Sequence, residues 1–374
     1  MKFVHISDTH LGASGFGRRV SPAGVNQREE DICHSLAWAI DKILELKPDL
    51  VLHSGDLFHS VRPSNRILTF AIKQFLKLSQ ANIKVVIISG NHDAPKQRAL
   101  GSVLSIFEVF PNIYTVFKNK YETVVIDSAC VHAIPHCLTN DGFQQELALL
   151  RINNQADFNI LMLHGVVAGI KEFSMGEFAE QEIPDSIFNM GFDYVALGHY
   201  HKYCQVRPNV FYAGSSERLS FNEVGQDKGF LEVDLKNGKI VFHKVPTREM
   251  VDLPEVDVTD LDQNQVFEKI EKILEPEKIK DKIVRLKIKN ISEHTYNLLR
   301  FRKINELKAQ AFYSDLRFER KETEHQVLAL SSSIGRLNQE FVEYLNSIPL
   351  ENLDRNRLLD LGLKYLTENK AVEE

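Results

Sequence analysis

Five short segments rich in histidine and aspartate recur within the first two hundred residues, and their side chains could hold metal ions. They are Asp8-Thr9-His10, Gly55-Asp56, Gly90-Asn91-His92-Asp93, His164-Gly165 and Gly198-His199-Tyr200-His201. Carboxylates, imidazoles and an amide oxygen form a ligand set suited to manganese, iron or zinc. Two such ions about 3.5–4 Å apart activate water and stabilise both oxygens of a phosphoryl displacement. Each segment alone is commoner as a turn, but their joint occurrence predicts a two-metal hydrolase site.

Each segment follows a short apolar run typical of a strand buried on both faces. The runs are Phe3–Ile6, Leu50–His53, Val85–Ile88, Ile160–Leu163 and Tyr194–Leu197. Amphipathic helices at Glu29–Leu46 and Asn65–Ser79 alternate with these runs, which predicts an α/β fold with helices on the faces of a sheet. Functional groups in such sheets collect at the carboxyl ends of the strands, where all five segments lie. His5 and His53 lie within runs and are expected to be buried structural groups.

Composition limits the class of protein. A chain of 374 residues exceeds one core of ordinary size, so two domains and an extension are expected. Cys33, Cys130, Cys137 and Cys204 lack paired spacing, which disfavours disulfides and a cysteine zinc site and favours a reducing cytosol. No apolar stretch reaches the ~18–20 residues of a membrane span, and the first residues have the pattern of a strand, so neither a span nor a leader is expected. The formal charge of −6 argues weakly against non-specific nucleic-acid binding.

Residues 1–248 are predicted to form the α/β domain. Its last part, at Val210–Ala213, Gly229–Val233 and Lys239–Val245, has the pattern of antiparallel strands that would complete a second sheet. Asn237-Gly238 is a typical hairpin turn between the last two.

Residues 249–325 are predicted to form a smaller unit. Its elements are helix Gln263–Leu274, strand Ile283–Ile288, helix Glu293–Asn305 and strand Ala311–Phe318. Between Gln263 and Lys321 there are 15 Lys and Arg against 9 Asp and Glu. This surplus leaves two interpretations open, an ordinary solvated face or a surface that faces nucleic acid.

Residues 326–374 are predicted to form a linker and two short amphipathic helices interrupted by Pro349. Helices this short are marginal unless something covers their apolar stripe. Either the body of the chain or a partner protein could do so.

Taken in order, the five segments resemble the calcineurin-like metallophosphoesterase superfamily. Three further stretches are similar to one branch of it, the SbcD-type nucleases of DNA double-strand-break repair, or meiotic recombination eleven family. They are Ser7-Asp8-Thr9-His10-Leu11-Gly12, Gln27-Arg28-Glu29-Glu30-Asp31 and Tyr212-Ala213-Gly214-Ser215 with Glu217-Arg218. The resemblance implies a two-sheet sandwich flanked by helices, a small α+β capping domain that grips DNA, and a C-terminal helical tail.

The resemblance also implies a role for each site residue. The first metal would take Asp8, His10, Asp56 and His201, and the second Asp56, Asn91, His164 and His199. His92, held by Asp93, would stabilise the phosphate or protonate the leaving oxygen, with His59 also near the phosphate. The expected DNA contacts are Arg18, Arg19, Arg62, Ser215 and Arg218.

The implied activity is a manganese-dependent 3′–5′ exonuclease on duplex DNA and endonuclease on single strands. The tail would bind an SMC-like coiled-coil ATPase. Helices around Ile67–Leu78 and Leu104–Phe110 carry more large apolar residues than one face needs, which resembles the family's dimer bundle. Two alternatives remain: another phosphoesterase, such as a protein phosphatase or cyclic-nucleotide phosphodiesterase, and a DNA-end tether or ATPase-regulating scaffold with little nuclease activity.

Overall fold

The computed structural model describes residues 1–16, 19–95, 101–170, 172, 175–176, 180–321, 337–347 and 354–368. The chain divides into two compact units, Met1–Arg320 and Lys321–Glu374. The strands are β1 Lys2–Ile6, β2 Leu50–Ser54, β3 Lys84–Ile88, β4 Ile113–Val116, β5 Glu122–Ile126, β6 Ala129–Ala133, β7 Phe158–His164, β8 Val166–Val167, β9 Glu182–Ile183, β10 Tyr194–Gly198, β11 Cys204–Arg207, β12 Val210–Tyr212, β13 Gly229–Asp234, β14 Lys239–Lys244, β15 Met250–Asp252, β16 Val256–Asp257, β17 Ile283–Ile291 and β18 Tyr313–Arg320.

The helices alternate with the strands over most of the chain. The α-helices are α1 Gln27–Leu46, α2 Asn65–Gln80, α3 Asn140–Leu147, α4 Gln263–Ile273, α5 Pro276–Ile279, α6 Glu293–Asn297, α7 Phe301–Lys308, α8 Leu337–Ser347 and α9 Arg355–Glu368. Short 3₁₀ helices lie at Val103–Phe107, Asp185–Asn189 and Phe221–Glu223. The predicted helices after the first two metal segments are confirmed as α1 and α2.

Two six-stranded sheets form the sandwich, which confirms the predicted fold class. The first has the order β14-β13-β1-β2-β3-β4, and the second has the order β11-β12-β10-β7-β6-β5. Strands β1 to β4 are parallel, as are β6, β7, β10 and β12. Phe3, Leu52, Ile160 and Ala196 are among the fully buried residues that fill the space between the sheets. The parallel strands therefore present their carboxyl ends at one edge of each sheet.

The late strands were predicted wrongly in part. The hairpin β13–β14 turns at Gly238 as expected, but it joins the first sheet, where Val233 pairs with Phe3. Strand β12 pairs in parallel with β10 and only β11 runs antiparallel to it. The hairpin is recruited to the first sheet because its apolar face, which includes Leu231, completes the core between the sheets.

A third sheet, in residues 250–320, forms the small unit. Strand β17 lies between β15 and β16 on one side and β18 on the other, and all the pairings are parallel. The single helix predicted over Glu293–Asn305 is wrong, because α6 ends at Asn297 and α7 begins at Phe301. The interruption lets Tyr296 and Phe301 both pack against Phe318 on the sheet, with ring centroids 5.2 and 6.0 Å from it.

The pairing of β15 and β16 with β17 changes the charge balance of the small unit. Over residues 249–321 there are 15 Lys and Arg and 15 Asp and Glu, so the surplus counted from Gln263 disappears. Arg285 pairs with Asp252 at 2.6 Å, and Lys287 and Lys289 both pair with Glu255. The basic side chains of β17 therefore have carboxylate neighbours on the adjoining strand segments, which weakens the nucleic-acid interpretation of this stretch.

A small apolar cluster joins the sandwich to the third sheet. Phe221, at the start of its 3₁₀ turn, packs with Met250, Ile283 and Phe312, all less than 10% exposed. The guanidinium carbon of Arg285 lies 4.7 Å from the centroid of the Phe221 ring. This turn is therefore held from the side of the small unit.

The two tail helices predicted after residue 331 are confirmed as α8 and α9. A Cβ on Gly362 would lie 2.1 Å from the ring of Phe341, so the two helices approach closely there. Leu345 is buried, whereas Tyr344 and Leu361 are 62% and 53% exposed. Within the parts that the structure describes, no helix is long and apolar enough to cross a membrane.

His5 and His53 are confirmed as buried and hydrogen-bonded. Nδ1 of His5 lies 3.0 Å from the Tyr194 hydroxyl, and Nε2 of His53 lies 3.1 Å from that of Thr9. Burial and neighbouring histidine charge lower the pKa of each to about 3, although the charge of Asp56 opposes this at His53.

This burial predicts acid sensitivity. Unfolding exposes both rings, which then bind protons at their usual pKa, so their stabilising effect is complete above pH 6.5 and is lost as the pH falls towards 3. Each contributes about 1.4 kcal/mol per pH unit to that loss. The free energy of unfolding in urea is measured between pH 7.5 and 5 with a chelator present. It should fall less steeply with decreasing pH for His5→Gln than for wild type. The control Gln80→Ala changes an exposed side chain that does not titrate and should keep the wild-type slope, and equal slopes in all three would contradict the prediction.

Candidate metal centre

The seven predicted metal ligands meet at the carboxyl ends of five strands. They follow or end β1, β2, β3, β7 and β10, and they are Asp8, His10, Asp56, Asn91, His164, His199 and His201. Asp8, His10, Asp56 and His164 are each 1% exposed, and the amide of Asn91 is half-buried. Residues up to 193 positions apart in sequence thus lie at one edge of the sandwich, because the parallel strands of both sheets end there.

The backbone at four of these positions takes a left-handed conformation. The φ angles are +50° at Asp8, +44° at His10, +53° at Asp56 and +97° at His199. Residues other than glycine rarely adopt positive φ, and clusters of such residues are typical of functional sites. Residues with positive φ therefore lie in the turns that directly follow β1, β2 and β10.

The first group of ligands is centred on His10. Its Nε2 lies 3.1 Å from Nε2 of His201 and 3.7 Å from Oδ2 of Asp56. Asp8 belongs to the same group, because one ligand atom from each of Asp8, His10 and His201 lies within 4.8 Å of the others. Asp8 is held by the backbone N–H of His199, which donates to its carboxylate at 3.0 Å.

The second group is centred on Asn91. Its Oδ1 lies 2.9 Å from Nε2 of His164 and 3.3 Å from Nδ1 of His199. Oδ2 of Asp56 lies 3.4 Å from the same His164 nitrogen. Asp56 therefore stands between the two groups and is shared by them.

Glycines allow these groups to approach. A Cβ on Gly198 would lie 1.8 Å from the Ser54 carbonyl oxygen, and one on Gly55 would lie 2.2 Å from Nδ1 of His164. A Cβ on Gly90 would lie 2.1 Å from Oδ1 of Asp56. The glycines in the Gly-Asp, Gly-Asn-His and Gly-His segments are thus required by packing around the ligands.

Burial and charge oppose each other in this site. Burial alone would raise the pKa of Asp56, but the neighbouring charge of His164 holds it well below its usual range. Burial raises the pKa of Asp8. Burial opposes the charged form of His164, yet Asp56 and Asp8 raise its pKa to about 10.

The donor set fits two divalent cations. The ring nitrogens of His10 and His201 face each other. A cation between them would accept a lone pair from each. The mixture of carboxylate, imidazole and amide oxygen suits manganese, iron or zinc. Cations would also displace the proton that His164 otherwise holds, since metal ligands bind in their deprotonated form.

His92 and His59 lie beside the ligands, on the solvent side. The His92 ring lies 4.8 Å from that of His10 and stacks on that of His59 at 5.0 Å. The backbone N–H of His92 donates to Oδ1 of Asp56 at 2.9 Å, and Nδ1 of His92 lies 3.2 Å from the His59 carbonyl oxygen. His92 is half-buried and His59 is exposed, so a substrate can reach both.

The Asp93 carboxylate, which was predicted to hold His92, bonds to backbone groups of two loops. The Asp93 carboxylate is fully buried and accepts hydrogen bonds from the backbone N–H groups of Leu57, Phe58 and Gly90, at 2.9, 3.3 and 2.8 Å. It joins the turn after β2 to the turn after β3. Asp93 therefore fixes the loops that present Asp56 and Asn91, and its hold on His92 stays a prediction.

Two of the five predicted DNA contacts, Ser215 and Arg218, are buried and bonded within the chain. Ser215 is fully buried and donates to the Glu217 carbonyl at 2.8 Å. Arg218 is 9% exposed and donates to the Thr247 hydroxyl and the Gln226 carbonyl. Both hold the loop after β12 in place.

The three remaining predicted contacts differ from one another. Arg19 donates to the Ala309 carbonyl at 2.7 Å and lies over Phe312, so it ties its loop to the small unit. Arg62 is exposed, and Arg18 lies outside the described residues. Of the five, Arg62 is the one whose described position suits a DNA contact.

Three residues that were not predicted from the sequence make contacts with the metal ligands. They are Glu223, Lys228 and Glu180. Glu223 lies 3.2 Å from Nδ1 of His201 and 2.5 Å from Nζ of the buried Lys228. Glu180 lies 3.1 Å from Nε2 of His199. Burial would raise the pKa of Glu223, but its bonds to His201 and Lys228 lower it to about 2. These residues follow no motif spacing and lie 19 to 27 positions from the ligands they contact, so no local signal in the sequence could have found them.

Comparison with known proteins gives a consistent result. Residues 1–203 match the family described as calcineurin-like phosphoesterase. Three curated relatives are each described as DNA double-strand break repair protein Mre11. They are from Methanocaldococcus jannaschii (31% identical over 290 residues, 73% of each chain), Methanococcus maripaludis (32% over 249, 64% of this chain and 61% of that one) and Thermoplasma acidophilum (28% over 283, 72% and 71%).

The matched region contains every predicted metal ligand, His59 and His92. The M. jannaschii relative extends the similarity over nearly three quarters of both chains. The chain therefore belongs to the Mre11 family of calcineurin-like phosphoesterases and is a metal-dependent phosphodiesterase of the nuclease type.

Proposed function

We propose that the protein is a two-metal DNA nuclease that processes double-strand breaks. The observation that supports this most is the convergence of seven ligand side chains on one edge, with His92 and His59 beside them on the solvent side. A site that only stored metal would have no use for two further imidazoles facing solvent. The substrate class follows from the relatives, which are DNA double-strand break repair proteins.

The proposed ligand assignment follows the two groups in the site. Asp8, His10, Asp56 and His201 would hold one ion, and Asp56, Asn91, His164 and His199 the other. When bound, the ions supply an activated water and stabilise the charge that develops on the phosphate. We propose that both ions are Mn²⁺.

His92 has the position of the group that acts on the substrate. Its backbone is fixed by Asp56, while its ring faces the open side of the site. From there it would donate a hydrogen bond to a phosphate oxygen or a proton to the leaving oxygen. The His59 ring stacks on that of His92. From the loop after β2 it would contact the same phosphate.

The finer activities are also part of the proposal. We infer 3′–5′ exonuclease action on duplex DNA, endonuclease action on single strands, and a location on chromosomal DNA. The exposed Tyr344 and Leu361 of the tail support an SMC-like ATPase partner there. For the homodimer, Leu104 and Phe107 are used in the chain's own core, but Val109 beside them is 77% exposed.

The test is manganese-dependent degradation of linear duplex DNA with a label at either the 3′ or the 5′ end. We expect early release of the 3′ label and cleavage of circular single strands, both stopped by a chelator. DNA bridging without loss of nucleotides would favour the tethering alternative. Hydrolysis of phosphopeptides or cyclic nucleotides with intact DNA would favour another phosphoesterase.

A further inference from the structure

We propose that Glu223 and Lys228 form a buried clamp that positions the His201 imidazole for the first metal ion. This inference rests on the proposed role of His201 as a ligand. Neither residue touches the metal position, so both are positioning residues.

The contacts define the orientation of the ring. Glu223 accepts from Nδ1 of His201 at 3.2 Å, which leaves Nε2 directed towards His10, 3.1 Å away. A carboxylate on one ring nitrogen fixes the proton there and places the lone pair on the other nitrogen. The first ion would meet that lone pair.

Lys228 fixes the carboxylate in turn. Its ammonium lies 2.5 Å from Oε2 of Glu223 and also donates to the backbone carbonyl of His201 at 2.8 Å. Lys228 is 1% exposed and Glu223 is 2% exposed. One cation therefore holds both the acid that orients the ring and the backbone that bears the ring.

Two of the other ligand histidines are oriented by different contacts. His164 donates from Nδ1 to the neutral Ser54 carbonyl at 2.8 Å, and Nε2 of His199 lies against Glu180 in a less buried position. Among the predicted ligand histidines, all of which lie in the described part of the chain, His201 is the one that contacts a fully buried ion pair. A buried pair of this kind is weak evidence for stability, because its desolvation offsets much of the attraction. Orientation of the ligand explains why the pair is placed at this position.

The experiment compares Mn²⁺ binding by wild type and by the double variant Glu223→Leu with Lys228→Met. The double change removes both buried charges together, and with them the acceptor that orients His201. We expect two sites in wild type, and in the variant a 10–100-fold weaker affinity at one site. The electron paramagnetic resonance spectrum at two equivalents should then change from that of a coupled pair to that of isolated ions.

The matched control is Glu232→Gln, which removes a carboxylate that pairs with His243 at 2.8 Å away from the site. It should keep both affinities. Wild-type affinities in the double variant would overturn the clamp, whereas a wild type without two Mn²⁺ sites would overturn the proposed function itself.

A second measurement needs no variant. Nitrogen-15 spectra of the wild-type histidines should show His201 protonated at Nδ1 in protein loaded with Zn²⁺, which is diamagnetic and suits the same donor set. A proton on Nε2, or none on Nδ1, would overturn the proposal even if the double variant failed to fold.

Discussion

Replacement of Asp56 by asparagine is expected to lower nuclease activity by at least about 10³-fold, since it removes the charge shared by both metal groups. Oδ2 of Asp56 lies 3.7 Å from the His10 ring nitrogen and 3.4 Å from that of His164. Asparagine has the same shape and can still accept from the His92 backbone N–H. The loss would therefore arise from charge rather than from collapse of the loop.

Metal analysis separates this effect from misfolding. The Asp56→Asn protein should bind fewer than two Mn²⁺ ions while its urea unfolding remains cooperative. Asp185→Asn, which breaks an exposed ion pair with Arg207, is the control and should keep two ions and full activity. Wild-type cleavage by Asp56→Asn with two bound ions would show that Asp56 is not the shared ligand.

The second large effect is expected for His92→Gln. Loss of a group that transfers a proton in the transition state lowers the rate by about 10²–10⁴-fold. Because the His92 ring lies on the solvent side of the ligands and its backbone makes the contact with Asp56, metal binding should be unchanged. The measurement is the single-turnover rate on duplex DNA, together with Mn²⁺ stoichiometry.

Two comparisons sharpen this result. His34→Gln, on the exposed face of α1, should cleave DNA as wild type does. If His92→Gln cleaves as fast as wild type, the ring has no role in the chemistry. If its rate falls only together with metal occupancy, His92 acts through the ions rather than on the phosphate.

The site was predictable from sequence to the extent that it depends on strand ends. Each ligand follows an apolar run, and parallel packing of those runs brings distant segments such as Asp8 and His201 together. The local pattern also indicated which histidines stay in the core, because His5 and His53 stand inside strands rather than after them.

The partners of many side chains were not predictable in this way. That Asp93 accepts from three backbone N–H groups depends on the relative position of two loops, which no local pattern encodes. The same holds for the burial of Ser215 and Arg218 and for the clamp on His201. The hairpin β13–β14 followed its predicted turn, but its sheet was decided by the pairing of β13 with β1, two segments more than 200 positions apart in sequence.

The 3₁₀ turn Phe221–Glu223 has one end in each of two environments. Phe221 is packed into the small unit, and two residues later Glu223 bonds His201 at the catalytic edge. A ligand or partner that pulled the third sheet away would therefore also strain this turn. If the first ion binds more tightly when the third sheet is in one position, binding of the ion must stabilise that position by the same free energy.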